Sequence, residues 1–203
     1  MRLERHEDHR WTEIRSFCDD LTGLLGEGGH APGTILAVKD RLAALIAHRP
    51  RLPEQMRTPH TRQYSRHLLY ADPTGRFEVV VMAWSPGQET PVHDHAGIWC
   101  VEGVVEGTIQ VSRYDLKGEI QEDVAHLEER EVIRAGLGRC GALIPPVEYH
   151  RIANPYEELA LTIHVYGGRM RRCRVFERQE GNRYRVRSRA LRFSNAGAAL
   201  APA

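Results

Sequence analysis

The stretch Gly87-Gln88-Glu89-Thr90-Pro91-Val92-His93-Asp94-His95 decides how this chain is read. On a β-strand, residues i and i+2 point to the same face with their bases about 7 Å apart. His93 and His95 have that spacing, so their imidazoles can converge on one ion. A histidine pair alone is a weak sign in a chain that holds 11 histidines. Here a Pro86-Gly87 turn precedes the pair, and an apolar segment, 98–105, follows it and ends at Gly107. That context lifts the pair above chance, and histidine is the commonest metal ligand among side chains.

Outward from this stretch the chain reads as short strands. Segments 64–70, 77–84, 98–105 and 108–114 carry β-type patterns, separated by Asp72-Pro73-Thr74-Gly75, Ser85-Pro86-Gly87 and Glu106-Gly107. Further strands are predicted over 124–127, 141–144, 149–152, 159–166 and 172–176. Many short strands with Gly and Pro between them predict a sandwich or small barrel. The first fifty residues instead repeat every three to four: Trp11, Ile14, Phe17, Cys18, Leu21, Leu24 and Leu25, then Ile35, Val38, Leu42, Leu45 and Ile46. These are two helices with core-facing stripes. Gly26, Gly28 and Gly29 end the first, and Pro50 and Pro53 close the second. The expected organisation is a helical region, 1–58, packed on a barrel, 59–194, with a frayed tail, 195–203.

The 203 residues suit one domain, with 41% apolar and 27% charged residues in a soluble globular balance. A net charge of +1 argues against a nucleic-acid partner. The arginine-rich segment from Arg169 to Arg174, with later arginines to Arg192, reads as a solvated strand face balanced by Glu177 and Glu180. No run of eighteen apolar residues exists, so no helical membrane span is expected, and the charged start Met1-Arg2-Leu3-Glu4-Arg5-His6 lacks a signal-peptide core. Cys18, Cys100, Cys140 and Cys173 form no CxxC pair and read as reduced thiols, which places the chain in a cytoplasm.

The central stretch resembles the first cupin motif: Gly87, five residues, His93-x-His95, four residues, a ligand position, six residues and Gly107. Most cupins have glutamate at the ligand position; this chain has Cys100. Pro145-Pro146-Val147-Glu148-Tyr149-His150-Arg151-Ile152-Ala153-Asn154 resembles the second cupin motif in its proline, histidine and asparagine. The resemblance implies a mainly β jelly-roll barrel with His150 as third ligand. Three neutral imidazoles leave open positions on an octahedral ion. That suits Fe(II) and oxygen chemistry, with Zn, Ni, Cu and Mn also open. His6, His9, His30, His48, His60 and His126 read as solvent-facing, and His67 sits in a strand with no evident partner.

The replacement at Cys100 points further. The sequence resembles the type I cysteine dioxygenases, a thiol dioxygenase branch of the cupins. His93-Asp94-His95, Cys100, His150-Arg151-Ile152-Ala153-Asn154 and Thr162-Ile163-His164-Val165-Tyr166 carry the resemblance, with Tyr64-Ser65-Arg66 upstream as a Tyr-x-Arg element. It implies that His93, His95 and His150 hold ferrous iron and that Arg66, with Tyr64 nearby, pairs with a substrate carboxylate. L-cysteine and O2 would be the small-molecule partners and cysteine sulfinic acid the product of this cysteine-catabolic step. Tyr166 would place its hydroxyl near the substrate, with His164 hydrogen-bonded to it. Several members carry a thioether crosslink between the cysteine and tyrosine at the Cys100 and Tyr166 positions, and both partners are present. The expected assembly is a monomer, with an oligomer also open. Two other readings stay open. One is a dioxygenase for another small thiol such as 3-mercaptopropionate, a branch that tends to have glutamine at the Arg66 position. The other is a metal-binding cupin without catalysis, or with a redox-inactive metal.

Overall fold

The structure, a computed structural model, describes residues 4–26, 29–146 and 148–201. Readings placed on Met1, Arg2, Leu3, Gly28, Val147, Pro202 and Ala203 lie outside these residues, as do the side chains of His6 and His9. Three helices come first: α1 (Glu4–Leu24), α2 (Pro32–Ala47) and the single-turn α3 (Glu54–Arg57). Their apolar stripes do what the spacing predicts. Ile14, Phe17 and Leu21 of α1 and Ile35, Val38, Leu42 and Ile46 of α2 share one buried cluster.

Eleven strands follow among the described residues. They are β1 (Ser65–Ala71), β2 (Glu78–Trp84), β3 (Val92–His93), β4 (Cys100–Glu106), β5 (Thr108–Leu116) and β6 (Val124–Gly136), then β7 (Cys140–Leu143), β8 (Tyr149–Ala153), β9 (Ala160–Tyr166), β10 (Arg172–Arg178) and β11 (Arg183–Ala190). Five of them form a sheet in the order β1-β2-β9-β4-β7, and the other six close on themselves as β10-β11-β6-β5-β8-β3. This is the mainly β jelly-roll barrel with an N-terminal helical region that the sequence predicts.

Strand alternation divides the core. On β9, Leu161, Ile163 and Val165 face the helices, together with Val79 and Val81 of β2 and Val101 of β4. The intervening residues face the other way, where Val80, Met82, Trp84, Cys100, Val104 and Tyr166 meet Ile109, Val111, Ile152 and Val175 of the second sheet. Two glycines permit close approaches. A Cβ on Gly103 of β4 would stand 2.5 Å from Ile46 Cδ1 and 2.8 Å from Cys140 Sγ, so α2 seats directly on that backbone. Gly107 has φ +69° and would put a Cβ 2.3 Å from the Leu159 carbonyl oxygen, so it holds a turn that a side chain would block.

Four sequence expectations meet a different structure. β6 runs to Gly136, well past the predicted 127, and β11 was not predicted at all. Both are dominated by exposed charged residues, which hide the alternation. β3 ends at His93, so the pair does not lie wholly on a strand. The tail does not fray up to Leu200. Asn195 exchanges hydrogen bonds of 2.9 Å with both backbone groups of Leu68, Leu200 N–H donates to Leu69 O, and Leu200 is 2% exposed.

Candidate metal centre

The register of short strands brings the histidines together. β3 pairs antiparallel with β8 so that His93 faces His150, and with β10 so that it faces Val175. Thr90 locks this register just upstream. Its N–H donates to Ile152 O at 2.8 Å, and its hydroxyl accepts from Ile152 N–H at 3.0 Å. His95 arrives by a different route than the strand spacing implies. The chain turns after β3 through Ala96 and Gly97, with φ of 55° and 77°. Glu148 holds the turn by accepting from His95 N–H at 3.0 Å. Asp94, fully buried, points away from the histidines. It accepts from Arg174 N–H at 2.8 Å, from Ala96 N–H at 3.2 Å and from the Arg174 guanidinium. Part of the arginine-rich segment thus anchors the metal loop.

The three rings converge. His93 Nε2 and His150 Nε2 are 3.2 Å apart, and ring centroids are separated by 4.5, 4.9 and 5.3 Å. One nitrogen from each ring lies within 4.8 Å of the others. Burial holds all three rings neutral: His93 is lowered to about 4, and His95 and His150 fall well below the usual imidazole value. A neutral imidazole presents a lone pair without first shedding a proton. On the Nδ1 sides stand oxygens: Pro91 O at 3.1 Å from His93, Glu148 Oε2 at 3.9 Å from His95 and Glu102 Oε1 at 4.0 Å from His150. Only the first is a hydrogen bond; Nδ1 of His95 and Nδ1 of His150 are buried with no hydrogen-bond partner among the described residues. The nitrogen donors, their neutrality and their spacing fit a divalent transition metal ion.

Beside the cluster lies a narrow cavity of about 20 Å³, lined by Tyr64, Arg66, His93, His150, His164 and Tyr166 among others. Arg66 of β1 is 6% exposed, and its Nη1 is buried with no hydrogen-bond partner among the described residues. Its guanidinium carbon lies 6.0 Å from the Tyr166 ring centre and 5.2 Å from that of Phe193. A buried cation with a free donor is a seat for an anion. Tyr64 stacks on Trp84 with ring centres 4.5 Å apart.

β4 and β9 place Cys100 opposite Tyr166, both buried on the inward face. Burial raises the thiol and the phenol well above their ordinary values. The resemblance implied a hydrogen bond from His164 to the Tyr166 hydroxyl, and the structure differs. His164 stacks on Tyr166 with centroids 6.1 Å apart, while its Nε2 meets Thr162 Oγ1 at 2.8 Å and its Nδ1 faces Glu102 Oε2 at 3.5 Å. Trp99 turns outward into the helix-facing core and donates to His30 Nδ1 at 2.8 Å, so it does not line the cavity. Sequence reasoning missed Asp94, Glu102 and Glu148. Glu102 was reachable, since it follows Cys100 by two and shares its face.

Barrel and histidine cluster together define a cupin-type domain with a candidate metal site. A family model described as Cysteine dioxygenase type I matches residues 56–179. The chain belongs to that family. Similar curated proteins include "Cysteine dioxygenase type 1" of Rattus norvegicus, 22% identical over 125 residues that make up 61% of this chain and 60% of that protein. The protein of the same name from Danio rerio is 21% identical over 126 residues, 62% of this chain and 61% of that one. The matched region thus spans about 60% of the length of these relatives. Among solved structures, a protein with a double-stranded beta-helix domain from Klebsiella pneumoniae gives a TM-score of 0.46 at 18% identity, covering 58% of this chain and 88% of that one. No described helix is long and apolar enough to cross a membrane.

Proposed function

We propose that this protein is an iron-dependent thiol dioxygenase that oxidises L-cysteine with O2 to cysteine sulfinic acid, as a cytoplasmic monomer. His93, His95 and His150 would hold ferrous iron. Bound there, the metal supplies redox chemistry by which both atoms of dioxygen are added to a coordinated thiolate sulfur.

The protein's own groups divide the remaining work. Arg66 receives the substrate carboxylate. Its planar fork is already desolvated, so a carboxylate completes its hydrogen bonds without dehydrating the guanidinium again. The same positive charge favours the anionic form of a thiol substrate. Tyr64 borders the carboxylate end of the cavity and Tyr166 the sulfur end. The walls of Met82, Ile152, Met170 and Val175 exclude water from the reacting atoms. A thioether crosslink between Cys100 and Tyr166 belongs to this reading, supported by their cross-strand pairing on β4 and β9.

One observation carries this reading: a buried guanidinium with an unpaired donor shares a cavity with two of three convergent, neutral histidines. The test is anaerobic purification with metal analysis, followed by oxygen uptake and mass spectrometry of the sulfur product. Iron with cysteine-dependent uptake and sulfinate supports it. Zinc, with no uptake after iron reconstitution, would sink it. Preferential turnover of 3-mercaptopropionate would reassign the substrate.

A further inference from the structure

On the Nδ1 side of His150 lies another set of donors. Cys100, Glu102 and His164 offer a thiol sulfur, a carboxylate oxygen and a ring nitrogen that all lie within 4.8 Å of one another. His164 Nδ1 is 3.9 Å from Cys100 Sγ and 3.5 Å from Glu102 Oε2. Around a tetrahedral ion with metal–ligand bonds of about 2.0–2.3 Å, neighbouring donors stand roughly 3.3–3.8 Å apart. The two spacings at His164 lie in or just above that range, and the Cys100–Glu102 pair lies within 4.8 Å.

Three features point the donors inward. Glu102 Oε2 is buried without a hydrogen-bond partner among the described residues, and Glu102 is 7% exposed. His164 Nε2 meets Thr162 Oγ1 at 2.8 Å, and the same oxygen accepts from Trp84 Nε1–H at 3.0 Å. A hydroxyl oxygen can accept twice, so Nε2 can keep its proton and Nδ1 can turn its lone pair toward Cys100 and Glu102. Finally, a cavity of about 210 Å³ reaches Glu102 and Thr162 between β4, β5, β6 and β7. It shares no lining residue with the cavity at Arg66.

We propose that Cys100, Glu102 and His164 form a second metal site, selective for a thiophilic divalent ion of the zinc class and reached through this separate cavity. Charge supports the assignment. One thiolate and one carboxylate cancel a double positive charge, which makes burial of the assembly tolerable. Binding releases the thiol proton to solvent, together with the carboxyl proton wherever Glu102 holds one, and changes no oxidation state. The site goes beyond the dioxygenase reading and competes with the crosslink, since a thiolate bound to an ion is not available for a thioether.

Cadmium tests this, because cadmium on a thiolate gives an ultraviolet charge-transfer band and cadmium on imidazoles alone does not. The full chain, prepared anaerobically with a non-thiol reductant and checked by thiol counting, is titrated with Cd2+ while bound metal is measured. The expected result is the thiolate band, together with one more bound equivalent than the histidine cluster accounts for. Cys100→Ala should abolish the band, Glu102→Leu should lose the extra equivalent, and Cys140→Ser and Cys173→Ser should keep both. A wild-type titration without the band overturns the proposal without recourse to any variant. A band that survives Cys100→Ala, or disappears in Cys140→Ser, overturns it as well. Metal at His93, His95 and His150 is read separately by stoichiometry, so failure here leaves the dioxygenase reading standing.

Discussion

On β9, Leu161, Ile163 and Val165 pack against the helices, while Thr162, His164 and Tyr166 face the barrel interior. The strand is buried throughout its length, yet its two faces meet different requirements. The helix-facing side is aliphatic and needs only volume and close packing. The inward side carries ionisable groups whose protonation is shifted by burial, and there each donor needs a particular partner. Burial alone therefore does not separate a structural face from a chemical one; the pairing of polar atoms does.

Changes on the two faces should come apart in measurement. The largest expected effect is on the inward side. His150→Ala should remove the equivalent of iron bound at the histidine cluster, read by elemental analysis, whereas Ile163→Val should cost about 0.5–1.5 kcal/mol of stability and leave metal content unchanged. Arg66→Ala should raise the Michaelis constant for cysteine by roughly 10- to 100-fold, as loss of a charge-assisted contact implies. Cysteamine, which has no carboxylate, should be nearly unaffected, and equal effects on both would remove the carboxylate role. Gly103→Val tests the outward side. It should lower stability by about 1–3 kcal/mol in urea denaturation, because α2 must shift, while the folded fraction still binds metal.

The comparison also has a pH dimension in the metal-free protein. Burial lowers His93 to about 4 and His164 to about 3, and lowers His95 and His150 as well. Below the ordinary imidazole value of 6.5, the unfolded chain takes up protons that the folded chain refuses. Stability should therefore fall as pH drops from 6.5 toward 4. Glu102, raised to about 7 by burial, acts in the opposite sense, easing the fold as pH falls from 7 toward 4.5. Glu148, also raised by burial, acts with Glu102, and His67, also lowered by burial, acts with the other rings; with five imidazoles against two carboxyls, denaturation midpoints at neutral and mildly acidic pH should show a net loss. A flat profile would mean that the inward face is far wetter than its burial indicates. The smallest effect is a gel pattern. If Cys100 and Tyr166 crosslink, Cys100→Ser should collapse a doublet to one band, and a persistent doublet would assign it another cause.

Much of this contrast was legible in the sequence. The alternation over 159–166 and the helical stripes announce which side chains are buried, and the histidine spacing announces the metal cluster. Elements whose outward residues are charged were hard to read. The end of β6 and all of β11 carry Arg and Glu where a strand signal would otherwise show, and their pairing comes from distant partners. In the site, local spacing could not foresee Asp94 clamped by Arg174, nor Glu102 between His150 and His164. Those contacts join segments far apart in the chain and depend on the closed barrel. The route of His95 around a turn had the same cause. Spacing gave the neighbour, while the loop geometry is set by Glu148 and Arg174.

Arg66 gains its position from residues met very late in the chain. Its N–H donates to Ser194 Oγ at 3.1 Å, its carbonyl accepts from Ser194 N–H at 2.6 Å, and Phe193 lies against its guanidinium. The anion seat is thus fastened by a segment that lies outside the barrel strands, whereas the His93–His150 pairing across β3 and β8 is not, so Ser194→Ala should disturb the carboxylate seat while leaving the histidine cluster in place.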